Sequence, residues 1–130
     1  MYYTETTNKI KITVAPSYQE DISASSHHIW FYTIFIENNS NELIQIISRF
    51  WKITEANGIS KEIRGEGVVG QQPVIKPGEI FEYTSSTELS TNSGFMCGSY
   101  KVMIIENGSF FEAFIPTFSL DDPEDNISIN

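Results

Sequence analysis

Two Asn-Gly dipeptides, Asn57-Gly58 and Asn107-Gly108, each separate runs of β-branched and aromatic residues. Such a pair supplies the positive φ angles of a tight hairpin, so each one ties together two antiparallel neighbours. The joined runs are Leu43 to Thr54 with Lys61 to Arg64, and Tyr100 to Glu106 with Phe110 to Ile115. Further strand patterns occur at Lys9 to Val14, where Ile10, Ile12 and Val14 alternate with polar residues, at Ile29 to Asn38, and at Ile80 to Thr84. Asn38-Asn39-Ser40-Asn41 reads as a turn, and Pro77-Gly78 as a type II turn. Gly65 to Gln72 reads as an irregular glycine-rich segment and Leu89 to Gly98 as a polar connection. Leu43, Ile46, Ile47 and Phe50 have helical spacing, but the β-branched content and the following Trp51-Lys52-Ile53-Thr54 favour a strand. About seven or eight short strands predict an all-β, single-domain antiparallel β-sandwich, with a barrel as the alternative.

The 130 residues suffice for one domain, residues 1–130, with residues 121–130 a flexible acidic tail. Hydrophobic residues at 40% can form a core without disulfides or metal, and aromatics at 13% suit the gap between two sheets. Seventeen acidic against eight basic residues leave a net charge of −9, and the basic residues are scattered. Nucleic acid and anionic membrane surfaces both require a basic stripe and are excluded as partners. The stretch Ile29 to Ile36 is far shorter than the roughly 20 residues of a membrane span, and the polar start from Met1 to Lys11 has no signal-peptide core. A single cysteine, Cys97, excludes an internal disulfide, so a cytoplasmic protein is expected. The Asn-x-Ser matches at Asn38, Asn107 and Asn126 then carry no glycan.

Gly65-Glu66-Gly67-Val68-Val69-Gly70 matches GxGxxG, but Gln71-Gln72-Pro73 follows where a dinucleotide fold needs a helix. Either the loop joins strands, or its amides form an anion-binding nest beside Arg64, against which Glu62 and Glu66 would act. His27 and His28, adjacent on a strand, point to opposite faces and cannot share a metal ion. The acidic tail from Asp121 to Asp125 lacks the spacing of a calcium loop. Cys97 reads as a buried structural thiol, GxSxG is absent, and Trp51 with Phe50 reads as core.

Taken together, several segments resemble the ApaG family. They are Ser48-Arg49-Phe50-Trp51-Lys52-Ile53-Thr54 with Ala56-Asn57-Gly58, Arg64 to Pro73, Pro77 to Ser85, Gly94-Phe95-Met96-Cys97-Gly98-Ser99-Tyr100, and Ile115-Pro116-Thr117-Phe118-Ser119-Leu120. The resemblance spans nearly the whole chain. It implies a fibronectin type III-like, immunoglobulin-like sandwich in which the glycine loop is a family hallmark, not a nucleotide motif. Similar domains are appended to eukaryotic F-box and polymerase-interacting proteins, which implies protein interaction. The bacterial family has been linked to cobalt and magnesium efflux and, by genomic neighbourhood, to diadenosine tetraphosphate hydrolysis. With no span, an efflux role would be indirect. Phe50 stands where family members often carry His, and Ser86, Glu88 and Asn92 replace Gly, Pro and Pro.

The expected function is therefore a non-catalytic binding module for an unidentified protein partner, with no cofactor and no metal. The expected surface is Arg64, Gly65, Gly67, Val68, Gly70, Gln71 and Gln72. The alternative is a phosphate- or dinucleotide-polyphosphate-binding protein or enzyme that uses the GxGxxG loop, with weak small-anion binding as its minimal form.

Overall fold

The computed structural model describes residues 1–19 and 28–121. These form nine strands: β1 (Tyr3–Thr7), β2 (Ile10–Gln19), β3 (His28–Asn38), β4 (Ile44–Glu55), β5 (Ser60–Glu66), β6 (Val74–Ile75), β7 (Ile80–Leu89), β8 (Ser93–Ile104) and β9 (Ser109–Asp121). Every pairing is antiparallel, in a four-stranded sheet ordered β1-β2-β3-β7 and a five-stranded sheet ordered β5-β4-β8-β9 with β6 also on β4. Two separate sheets make a sandwich and not a barrel. Among the described residues there is no helix, so none is long and apolar enough to cross a membrane.

The alternating apolar positions point into the gap as expected. Ile10, Ile12 and Val14 of β2 and Trp30, Tyr32, Ile34 and Ile36 of β3 are buried against Trp51, Ile53, Met96, Val102, Ile115 and Phe118 of the other sheet. The two sheets close at one edge, where β1 and β2 pack against β9. No comparable packing joins β5 to β7 at the opposite edge.

The expected turns form where the dipeptides lie. Gly58 takes φ 86°, Gly78 φ 85° and Gly108 φ 68°, and the amide of Glu79 bonds the Lys76 carbonyl at 2.9 Å across Pro77-Gly78. Buried Asn38 holds the crossing between sheets, its Nδ2 donating to the carbonyls of Glu42 and Ile75 while Oδ1 accepts from Ser40.

Two expectations are corrected, and one strand is added. Leu89 to Gly98 is not a connection, because β7 continues to Leu89 and β8 starts at Ser93. Gly94 and Gly98 lie within β8, where an added Cβ would sit 2.6 Å from the Thr54 carbonyl oxygen and 2.1 Å from that of Phe50. These glycines serve close strand packing and not loop freedom. Next, β9 does not stop before Pro116, since a register shift opposite Met96 and Gly98 absorbs the residue that lacks an N–H. Last, the polar stretch Tyr3–Thr7 is an edge strand joined to β2 by Asn8 (φ 47°) and Lys9 (φ 66°), a two-residue turn that a lysine disguises. His27 and the tail beyond Asp121 lie outside the described residues.

Another register shift falls between Ile46 and Ser48 in β4. Before it, Ile44 and Ile46 point inward; after it, Trp51 and Ile53 do. The extra residue, Ile47, reverses the parity of the strand, so Arg49 faces the gap and Phe50 faces out. Phe50 thus leaves the core assigned to it alongside Trp51.

Candidate functional site

The glycine loop folds as a hairpin tip. Val68 and Gln71 exchange both backbone hydrogen bonds, at 2.7 and 2.9 Å, around Val69 (φ 42°) and Gly70 (φ 79°). Positive φ at both central positions is a type I′ turn, and valine there is strained. The amide of Gly67 donates to Ile47 at 2.8 Å, and Gln72 Nε2 donates to the same carbonyl at 3.0 Å. The Gly67, Val68 and Gln71 amides are therefore spent inside the fold. An added Cβ at Gly67 would lie 2.0 Å from the Gln71 carbonyl oxygen, which explains why this position is glycine.

The seven expected surface residues do not form one surface. Arg64 is exposed on the outer face of β5, whereas Gly65 sits beneath the Arg49 guanidinium on the inner face. Gly70, Gln71 and Gln72 are exposed at the tip. Val68 is fully buried, at 0% exposure, and cannot make a contact with a partner. Val68→Asp is expected to unfold the chain in urea at a lower midpoint, with a loss of about 3 kcal/mol or more, because it buries an unpaired charge. An unchanged midpoint would contradict that burial.

What the structure assembles instead is a recess on the outer face of the five-stranded sheet. Its volume is about 610 Å³, and its lining includes Ser48, Phe50, Arg64, Lys101, Phe110 and Glu112. Cross-strand register explains the set, since Phe50 pairs with Arg64 and Ser99, and Lys101 with Ser48 and Glu112. The Arg64 guanidinium lies 4.3 Å from the Phe50 ring centroid and the Lys101 ammonium 4.4 Å from that of Phe110. Ser99 donates to Glu112 at 2.9 Å, while Arg64 approaches Glu62 at 3.9 Å. Cys97 is half-buried on this same face, not in the core, and lines an adjoining hollow with Phe114 and Thr117. Phe110, Glu112 and Phe114 alternate with the inward Phe111, Ala113 and Ile115, a signal present in the sequence once β9 is taken as a strand.

A smaller recess opens between the sheets at the β5/β7 edge, with Arg49, Tyr32, Tyr83, Ser85 and Ser86 in its lining. The Tyr83 and Tyr100 hydroxyls bond each other behind it. Burial pushes the phenols of Tyr32, Tyr83 and Tyr100 above their ordinary range, the nearby Arg49 charge acting in the opposite sense. Among the described residues no three His, Cys, Asp or Glu side chains converge as metal ligands.

Fold and recesses define the class: a small antiparallel sandwich with an aromatic, cation-capped outer face and a hydroxyl-lined cleft at its open edge. The model of the ApaG domain matches residues 18–104, and the chain belongs to the ApaG family. Protein ApaG of Bradyrhizobium diazoefficiens is 47% identical over 130 residues, covering 98% of this chain and 99% of its own. Protein ApaG of Rhodospirillum centenum is 49% identical over 123 residues, 93% of this chain and 94% of its own. The crystal structure described as an ApaA protein from Bordetella pertussis superposes with TM-score 0.83 at 41% identity, over 88% of this chain and 94% of that one.

Proposed function

We propose that this protein is a non-catalytic binding module whose partner is another protein, held on the outer face of the five-stranded sheet. The observation that supports this reading is the 610 Å³ recess with a ring at each side and a cation over each ring. Aromatic and arginine side chains in a desolvatable recess are what protein interfaces use as anchors. The glycine loop contributes Arg64 and Gly65 to this rim and otherwise braces the strand that carries them. Phe114, exposed like Phe110, extends the apolar surface beyond the recess. Any influence on cobalt or magnesium levels is exerted through the bound partner, in the cytoplasm.

The double variant Arg64→Ala with Phe110→Ala tests this. Both side chains are exposed, so the melting temperature should stay within a few degrees while capture of a defined partner falls about tenfold or more. Capture that survives the double variant, or moves only with substitutions at Gln71 and Gln72, would place the interface at the loop tip.

A further inference from the structure

We propose that the cleft at the β5/β7 edge is an oxyanion site, built on Arg49, that takes the phosphate group of a small molecule. The starting observation is an inward-facing guanidinium without an acid. This chain carries seventeen carboxylate side chains, yet among the described residues Arg49 makes no ion pair. Its Nη1 donates to the carbonyls of Glu66 and Gly67, at 2.9 and 3.0 Å. Those two bonds orient the group and leave Nη2 and Nε with no acceptor among the described residues. A partly buried guanidinium holding such donors in reserve is costly unless something fills them.

The surroundings match an anion. The recess has a volume of about 220 Å³, and its lining holds one cation, the hydroxyls of Tyr32, Tyr83, Ser85 and Ser86, and no carboxylate. That volume is below the range of about 300 Å³ and upward that drug-sized ligands occupy, so the occupant is small. The Tyr83 hydroxyl is bonded to Tyr100 and the Tyr32 hydroxyl to Ser85. A guanidinium fork with the hydroxyl protons these bonds leave free suits an anion with three or four acceptor oxygens, which favours tetrahedral phosphate over a planar carboxylate. The protein's net −9 charge does not forbid this, because charges beyond about 8 Å are screened at physiological salt.

The glycine motif acquires a physical role here. An added Cβ at Gly65 would lie 2.6 Å from Arg49 Nη2, so glycine is what lets the guanidinium lie flat against β5. Val69, strained at φ 42° and half exposed, lines the same recess. The Gly67, Val68 and Gln71 amides are committed elsewhere, so the motif serves the anion chiefly by placing an arginine.

The test is an NMR titration of the nitrogen-15-labelled protein with inorganic phosphate, with phosphoserine as the esterified source and acetate as the planar comparison. Saturable shifts are expected at Arg49 Nε–Hε and at the Gly65 and Val69 amides below about 10 mM ligand. Arg49→Gln should weaken binding about tenfold or more, and Arg64→Ala should leave it within about twofold. Gly65→Ala guards against misfolding as an explanation, since its collision is with the mobile end of Arg49; it should keep the melting curve and lose the site. Binding of phosphate alone assigns the free ion, and equal binding of phosphoserine assigns an ester. No saturable shift, shifts centred on Arg64 and Lys101, equal binding of acetate, or binding that survives Arg49→Gln would each overturn the proposal.

Discussion

Gly98→Ala is expected to lower the melting temperature by about 12 °C or more, measured by circular dichroism, with a stability loss of about 4 kcal/mol or more. The added methyl would meet the Phe50 carbonyl oxygen at 2.1 Å and Trp51 Cε3 at 3.2 Å. Neither can step aside. Phe50 and Trp51 belong to β4, which is paired to β8 from Ile44 to Glu55, and Trp51 is buried between the sheets. Overpacking a core ordinarily costs about 1–3 kcal/mol when side chains can yield. Here the obstacle is backbone, and relief means spreading the central ladder of the sheet. Gly108→Ala is the matched comparison, with open space around its Cβ and φ 68°, so it should cost only about 1–2 kcal/mol. Equal effects of the two would mean that β4 and β8 separate more easily than their register implies.

Above about pH 10 the fold should lose stability steeply. In the unfolded chain Tyr32, Tyr83 and Tyr100 ionise near the ordinary phenol value of about 10, whereas burial raises all three in the folded protein. Alkaline of that value the unfolded state binds fewer protons than the folded one, so the unfolding free energy falls as pH rises. Below about pH 10 both states hold the protons and nothing is lost. Each phenol contributes at most about 1.4 kcal/mol per pH unit, and the three together at most about 4. Absorbance of phenolate near 295 nm, followed beside circular dichroism, should show these phenols ionising together with loss of structure. Ionisation of all three in a protein that keeps its far-ultraviolet signal would contradict their burial.

Much of the architecture is visible as pattern. Ile10, Ile12 and Val14 alternate because one face of their strand is dry, and the glycines of Asn57-Gly58 and Asn107-Gly108 stand where the backbone must turn left-handed. Other elements resist such reading for specific reasons. Tyr3–Thr7 has almost no apolar residues, being an edge strand held by backbone pairing to β2 and by packing on β9. Gly94 and Gly98 look like loop glycines because sequence cannot separate a residue needed for freedom from one needed for lack of bulk. Val68 looked like surface because its neighbours are glycines, yet a turn fixed by Gly67 and Gly70 drives its side chain fully inward. Of the expected binding residues, Arg64 and Gly65 line the outer recess, whereas Gly70, Gln71 and Gln72 form a separate tip.

By itself the sequence determined an all-β antiparallel fold, its hairpins and its family, since strand period and turn chemistry are local properties of the chain. Only the tertiary structure decided which way Arg49 and Phe50 point. Ile47 is one residue more than β8 can pair, and that count exists only between two strands. Because side chains alternate with period two, the single extra residue flips everything after it. It sends Phe50 to the outer recess and Arg49 to the cleft between the sheets, and so creates both candidate sites.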